Sequence, residues 1–249
     1  MRKINLTVLS IFTLFLVWIL LDIIVDNSLL LPNPLEVLKS LLKIITDSKA
    51  LFAIFSTIFR LIISLVIAFF LGFILGVLAG VNEKAAIFMN PMVTVLRTIP
   101  VISITVIVLI VLGFELTPYF ITFLMLFPLI YQGVYGGIKS IDQELVDVYR
   151  LEDNRLFSRI IHCYIPLIRN NIETSILQSL GLGIKVIVMA EYLGQTQNSI
   201  GNNLYLAKIN IEYSEVFAWT ILLIFFALLF EFLISRTRKI IIKDRTSRV

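Results

Sequence analysis

The chain has 249 residues, 59% hydrophobic and 15% charged, with a mean hydropathy of +0.97 and a formal net charge of +4. A soluble domain is roughly 45–50% apolar and about 25% charged, so this composition excludes a soluble globular protein and predicts an all-α, polytopic membrane protein. One cysteine, Cys163, permits no internal disulfide, and one histidine, His162, argues against a metal site built on His and Cys clusters.

Arg2 and Lys3 precede an uncharged run from Ile4 to Leu21. About 20 apolar residues cross a bilayer core. The run is longer than a signal-peptide core and no small-x-small cleavage site follows, so a retained first span is expected at about 5–25. Asn33, Pro34 and Glu36 have the spacing of a helix start. A short helix over 34–46 follows, with Leu35, Leu38, Leu41, Leu42 and Ile45 on the face expected to meet membrane or neighbouring spans.

The second span is expected at about 55–81. Ser64, Ala68, Gly72, Gly76 and Gly80 recur every fourth residue and lay a groove along one face, where another helix can approach closely. Arg60 lies near the outer end, within snorkelling reach of the surface. The third span, 91–112, contains Arg97 and then Pro100, which removes a backbone donor and breaks or kinks the helix. Arg97 either lies beside a water-filled path or snorkels to the surface. Gly113–Pro118 reads as a tight turn before a fourth span at 116–138. The fifth, 167–192, carries Gly181, Gly183, Lys185 and Glu191. A loop is expected over 193–215, then a sixth span at 216–235 and a basic tail, all within one membrane domain.

Between the fourth and fifth spans lies the longest charged interruption, 139–166. Leu145, Val148, Tyr149 and Leu156 fall close to helical spacing among Asp142, Glu144, Asp147, Arg150, Glu152, Asp153 and Arg155. The pattern predicts a short amphipathic helix outside the bilayer, docked on lipid or on a protein partner. With six spans both termini share a side with this loop. Only Lys39, Lys43, Lys49 and Lys208 fall on the opposite side, whereas most Lys and Arg fall on the terminal side. Cytoplasmic loops carry the excess of Lys and Arg, so the termini and the 139–166 loop are expected in the cytoplasm.

The chain contains no G-x-x-x-x-G-K-[ST] phosphate loop, no H-E-x-x-H and no G-x-S-x-G. A structured dock without an engine points to a membrane subunit driven by others. The loop resembles the E-A-A loop of permease subunits of bacterial ABC importers. Laid on without gaps, that pattern puts Asp147, Val148 and Tyr149 at E-A-A, Asp153 at its glycine and Pro166 at its proline. Only the acid and the proline conform. A glycine would permit a left-handed turn, which Asp153 or Asn154 can adopt at modest cost, and Tyr149 in place of alanine reshapes the docking surface. Four further stretches, in order, resemble the nitrate/sulfonate/taurine-type permeases: Leu31–Pro34, Leu96–Pro100, Lys185–Glu191 and Ile209–Ala218.

The resemblance implies a permease homodimer in a bacterial plasma membrane, ABC ATPase subunits in the cytoplasm and an extracytoplasmic solute-binding protein. ATP hydrolysis would belong to the separate partner, with no enzyme activity, cofactor or nucleic acid assigned to this chain. Leu145, Asp147, Val148, Tyr149, Arg150, Leu151, Asp153 and Pro166 would couple to the ATPase. Gly72, Gly76 and Gly80 would pack helices, and Arg97, Pro100, Lys185 and Glu191 would flank the translocation path. A Lys185 facing that path would favour an anionic solute, while snorkelling or a structural pairing is the other reading. A secondary transporter or channel not driven by ATP is the alternative. Its sign would be broken helices paired in matching halves, and prolines interrupt only the third and fourth spans.

Overall fold

The computed structural model describes residues 2–27, 30–153 and 155–246, and among these every regular element is a helix. In chain order they are α1 (Arg2–Val25), α2 (Pro34–Thr46), α3 (Ser48–Val81), α4 (Glu83–Thr98), α5 (Val101–Lys139), α6 (Gln143–Glu152) and α7 (Leu156–Arg159). A π turn (Ile160–Tyr164) then leads into α8 (Ile165–Leu167), α9 (Arg169–Gly194), α10 (Ile200–Ile209) and α11 (Tyr213–Thr246). Four stretches among the described residues are long and apolar enough to cross a membrane: Ser48–Val81, Val101–Lys139, Arg169–Gly194 and Tyr213–Phe232. Within α1 the described part Phe12–Val25 is apolar, and the expected third span is divided.

The division lies at Ile99-Pro100, where both residues are extended (φ −67°, ψ 129° and φ −60°, ψ 123°). Pro100 has no N–H to continue the helical ladder, so α4 ends and α5 begins. A straight helix of the 39 residues in α5 would be about 58 Å long, but Gly113 interrupts it at φ 74°, ψ −179°. Glycine tolerates that positive φ; an L side chain there would be strained, although nothing lies within 4 Å of an added Cβ. The chain folds back at this point. Val101, Ile104 and Val108 share one apolar cluster with Ile121, Leu124 and Met125. Further from the bend, Arg97 bonds Gln132, and Asn90 bonds Tyr131 (2.9 Å) and Tyr135 (3.2 Å). Each pair is centred close to Gly113, as antiparallel limbs require.

The second limb of α5 lies between α3 and α9. Along α3, the buried stripe Ser64, Ala68, Gly72, Gly76 and Gly80 faces it. A Cβ on Gly72 would stand 3.0 Å from Ile130 Cβ, one on Gly76 2.9 Å from Val134 Cβ, and one on Gly80 2.7 Å from Ile138 Cδ1. On the α9 side, a Cβ on Gly133 would stand 2.5 Å from Ser175 Cβ. Without a hydrophobic drive between helices in lipid, this close approach of backbones is what allows them to associate.

One expectation is corrected around this core, and one helix gains a detail. Helix α2 begins as expected, with the Asn33 side chain accepting from Leu35 N at 2.9 Å; it buries Val37 and Ile44 with Leu41 packed beside them, and leaves Leu35, Leu38, Leu42 and Ile45 exposed. The reason is α11: Ser40 reaches Ser214 (3.1 Å) and Lys43 reaches Glu215 (2.7 Å), which turns that side inward. The expected loop 193–215 contains α10, started by Ser199, whose hydroxyl oxygen accepts from Asn202 N at 3.0 Å. Gly76→Leu should lower the thermal midpoint of the purified protein, at a cost of about 1–3 kcal/mol. Gly181→Ala, with open space over its Cβ, should leave the midpoint unchanged in the same detergent.

Candidate functional site

Three features combine charge or polarity with exposure or burial. The first is the charged segment from Ser140 to Ile168. Asp142 caps α6, its carboxylate accepting from Glu144 N at 3.1 Å. Val146 is the buried anchor of α6, set in the main core cluster. Leu145, Val148, Tyr149 and Leu151 are exposed, Leu151 at 91%. Asp147 and Arg150 are exposed as well. The helix ends at Asp153, which is extended at φ −143°, ψ 112°. The left-handed turn considered there is not taken by Asp153, and Asn154 lies outside the described residues. Extended backbone suffices because the Asp153 carboxylate accepts from Arg155 N at 2.9 Å and so directs the chain into α7. That backbone bond, then the Ser158 hydroxyl, holds the Asp153 carboxyl below its ordinary 3.8. Pro166 is exposed in α8, directly after the π turn; Pro has no N–H for the ladder, and the ladder is already irregular there.

The second feature is an open polar cleft where α4, α5 and α9 meet. Arg97, Gln132, Gly136, Asn171, Thr174 and Gln178 line it. Gly133 and Gly137 draw α9 close, while Gly136 faces outward with nothing within 4 Å of an added Cβ. Arg97 is exposed and donates to the Gln132 side-chain oxygen. Pro100 lies beyond it at the helix break and does not line this cleft. Lys185 lies elsewhere, on the exposed side of α9 beside an apolar cleft with Leu223, Ile224 and Ala227 of α11.

The third feature is a sealed polar knot. Glu191 is 0% exposed and Arg60 7%. Glu191 accepts from Arg60 Nη1 (3.0 Å), Thr57 Oγ1 (2.9 Å) and Gly201 N (3.3 Å). Arg60 also donates to the carbonyls of Gln197 (3.2 Å) and Asn198 (3.4 Å), and Thr57 accepts from Ile200 N (3.0 Å). Arg60 therefore does not snorkel; the Glu191 carboxylate and two carbonyls hold it inside the protein, and the exposed Glu115 carboxylate lies 3.7 Å from its Nη2. Glu191 does not border an open path. It ties α3 to the turn between α9 and α10.

With four membrane-length helices, an exposed amphipathic segment and a polar cleft in place, comparison with known proteins is decisive. Residues 68–246 match the binding-protein-dependent transport system inner membrane component. The chain belongs to that family. This permease is thus a multi-pass transport component of the inner membrane. A relative, the putative aliphatic sulfonates transport permease protein SsuC of Bacillus subtilis (strain 168), is 25% identical over 142 residues. The match covers 57% of the chain and 51% of the relative, so the chain spans about half of that relative's length.

Sequence reasoning missed the pairing of Arg60 with Glu191, because 131 residues separate them and neither has a local signal. It also missed Gln132, Asn171, Thr174 and Gln178 as one cleft. Their recurrence on exposed turns of α5 and α9 was the available signal. Glu191→Ala should destabilise this permease by about 3–5 kcal/mol, since it strands a buried guanidinium. The double variant Arg60→Met, Glu191→Met should recover most of that loss in a detergent melting curve. Because the Asp153 pKa is lowered on folding, its bond stabilises the corner above 3.8 and is lost as pH falls through the folded value. Hydrogen exchange at the Arg155 amide should accelerate, beyond its intrinsic pH trend, only below that ordinary value.

Proposed function

We propose that this chain is the permease subunit of an ATP-driven importer, with six spans, both termini in the cytoplasm and α6 as its coupling helix. The observation that carries the reading is α6 itself. It is held to the core at Val146, while Leu145, Val148, Tyr149 and Leu151 stay uncovered beside Asp147 and Arg150. Such a surface suits insertion into a groove on an ATPase, with Asp153 ending the helix and Pro166 placed after the π turn that leads back to α9. Two copies of the chain would meet across the exposed polar side of α9 and enclose a path. An extracytoplasmic binding protein would deliver the solute from the far side.

The solute in this reading is small and anionic. Arg97 and Lys185 both stand on exposed faces, and the relative's name refers to aliphatic sulfonates. ATP drives such a cycle only if nucleotide favours one docked arrangement over the other. The α3–α5–α9 packing would carry the movement of α6 to the path as a rigid body.

Affinity purification of the tagged permease from its native membrane should retain an ABC ATPase. Tyr149→Glu should abolish that retention and ATP-driven uptake while leaving membrane abundance unchanged. An unaltered ATPase yield with Tyr149→Glu would remove α6 from the coupling role.

A further inference from the structure

We propose that the cleft floored by Gly136 and lined by Arg97, Gln132, Asn171 and Gln178 is a binding site for a small oxyanion. The proposal rests on the transport reading for its biological sense, but its chemistry comes from the lining. The cleft holds one cation, four carboxamides and two hydroxyls, and among the described residues no Asp or Glu lines it. The nearest acid in sequence to these α9 residues, Glu173, receives Arg169 Nε at 2.8 Å outside the cleft. A polar cleft in a membrane protein that carries an uncompensated guanidinium favours an anion over a cation or a neutral solute.

The donors are arranged for oxygen atoms. Arg97 donates to Gln132 Oε1, which fixes the carboxamide so that its NH₂ remains available to donate. A guanidinium has five N–H donors, so one bond to Gln132 leaves several for a ligand. The fork geometry of those N–H groups suits two oxygens of one anion. Asn171 and Gln178 stand across the cleft on α9, two turns apart on one face, and each adds an amide donor. The Thr174 hydroxyl lies between them and spends its proton on Asn170 O at 2.7 Å. The site therefore offers several oxygen-seeking donors around a single positive charge, the pattern of a sulfonate, sulfate or similar tetrahedral or planar oxyanion.

Gly136 supplies the space. An added Cβ there meets nothing within 4 Å, whereas its neighbours Gly133 and Gly137 press on α9. A side chain at 136 would fill the cleft without disturbing the seam.

The test uses the full-length permease in lipid nanodiscs, with Cys163→Ala removing its one thiol and Thr174→Cys as reporter. Alkylation of the reporter by a water-soluble maleimide is followed with methanesulfonate or with dimethyl sulfone, an uncharged molecule of similar shape. Methanesulfonate should slow alkylation and dimethyl sulfone should not. Arg97→Gln should weaken protection by about tenfold, the loss expected for one charge-assisted hydrogen bond. Arg97→Lys should restore part of it, Gly136→Leu should abolish it, and Lys84→Gln, on the exposed start of α4, should leave it intact. Equal protection by the sulfone, protection that survives Arg97→Gln, or no protection by methanesulfonate would overturn the proposal. The readout needs neither ATP nor a partner. Protection without ATP-driven uptake would sink the transport reading alone, and uptake without protection would sink the oxyanion site alone.

Discussion

The close seam between α3 and α5 is the constraint on which the rest of the structure depends. Lipid chains are as apolar as leucine, so burying leucine against leucine gains little within a membrane. What holds α5 to α3 is backbone proximity, made possible where Gly72, Gly76 and Gly80 leave room for Ile130, Val134 and Ile138. On its opposite side α5 repeats the device with Gly133 and Gly137 against α9. A single helix limb thus fixes the distance between α3 and α9, and that distance fixes both the cleft and the buried ion pair.

The charged groups of the knot and of the clefts differ in kind. The sealed pair is matched: Glu191 has three donors, and Arg60 has the Glu191 carboxylate and two carbonyls. Those left open, Arg97 and Lys185, stand on exposed faces instead. The membrane enforces this separation, because a charge that is neither paired nor hydrated is costly there.

Much of this was legible in the sequence because it is local. The four-residue recurrence from Ser64 to Gly80 marks a packing face. Pro100 and Gly113 mark breaks, Asn33 and Pro34 a helix start, and the charged run after Ser140 an amphipathic helix. What the sequence left open is set by partners distant in the chain. The inward face of α2 depends on Ser214 and Glu215, and no periodicity within 34–46 could reveal that. Arg60 read as a snorkelling residue because Glu191 lies 131 positions away. The cleft escaped notice as a unit because its members sit on three helices and, Arg97 apart, none stands out alone.

That long separation also constrains how the protein is made. Ribosomes add about 5–20 residues per second, so once Arg60 is synthesised its carboxylate partner, 131 positions on, follows roughly 7–26 s later. Glu115, whose exposed carboxylate lies 3.7 Å from Arg60 Nη2, is made earlier and can offset that charge in the meantime. The sealed arrangement, with Thr57, Glu191 and the Gly201 amide around one carboxylate, closes only once α9 and the start of α10 have been made.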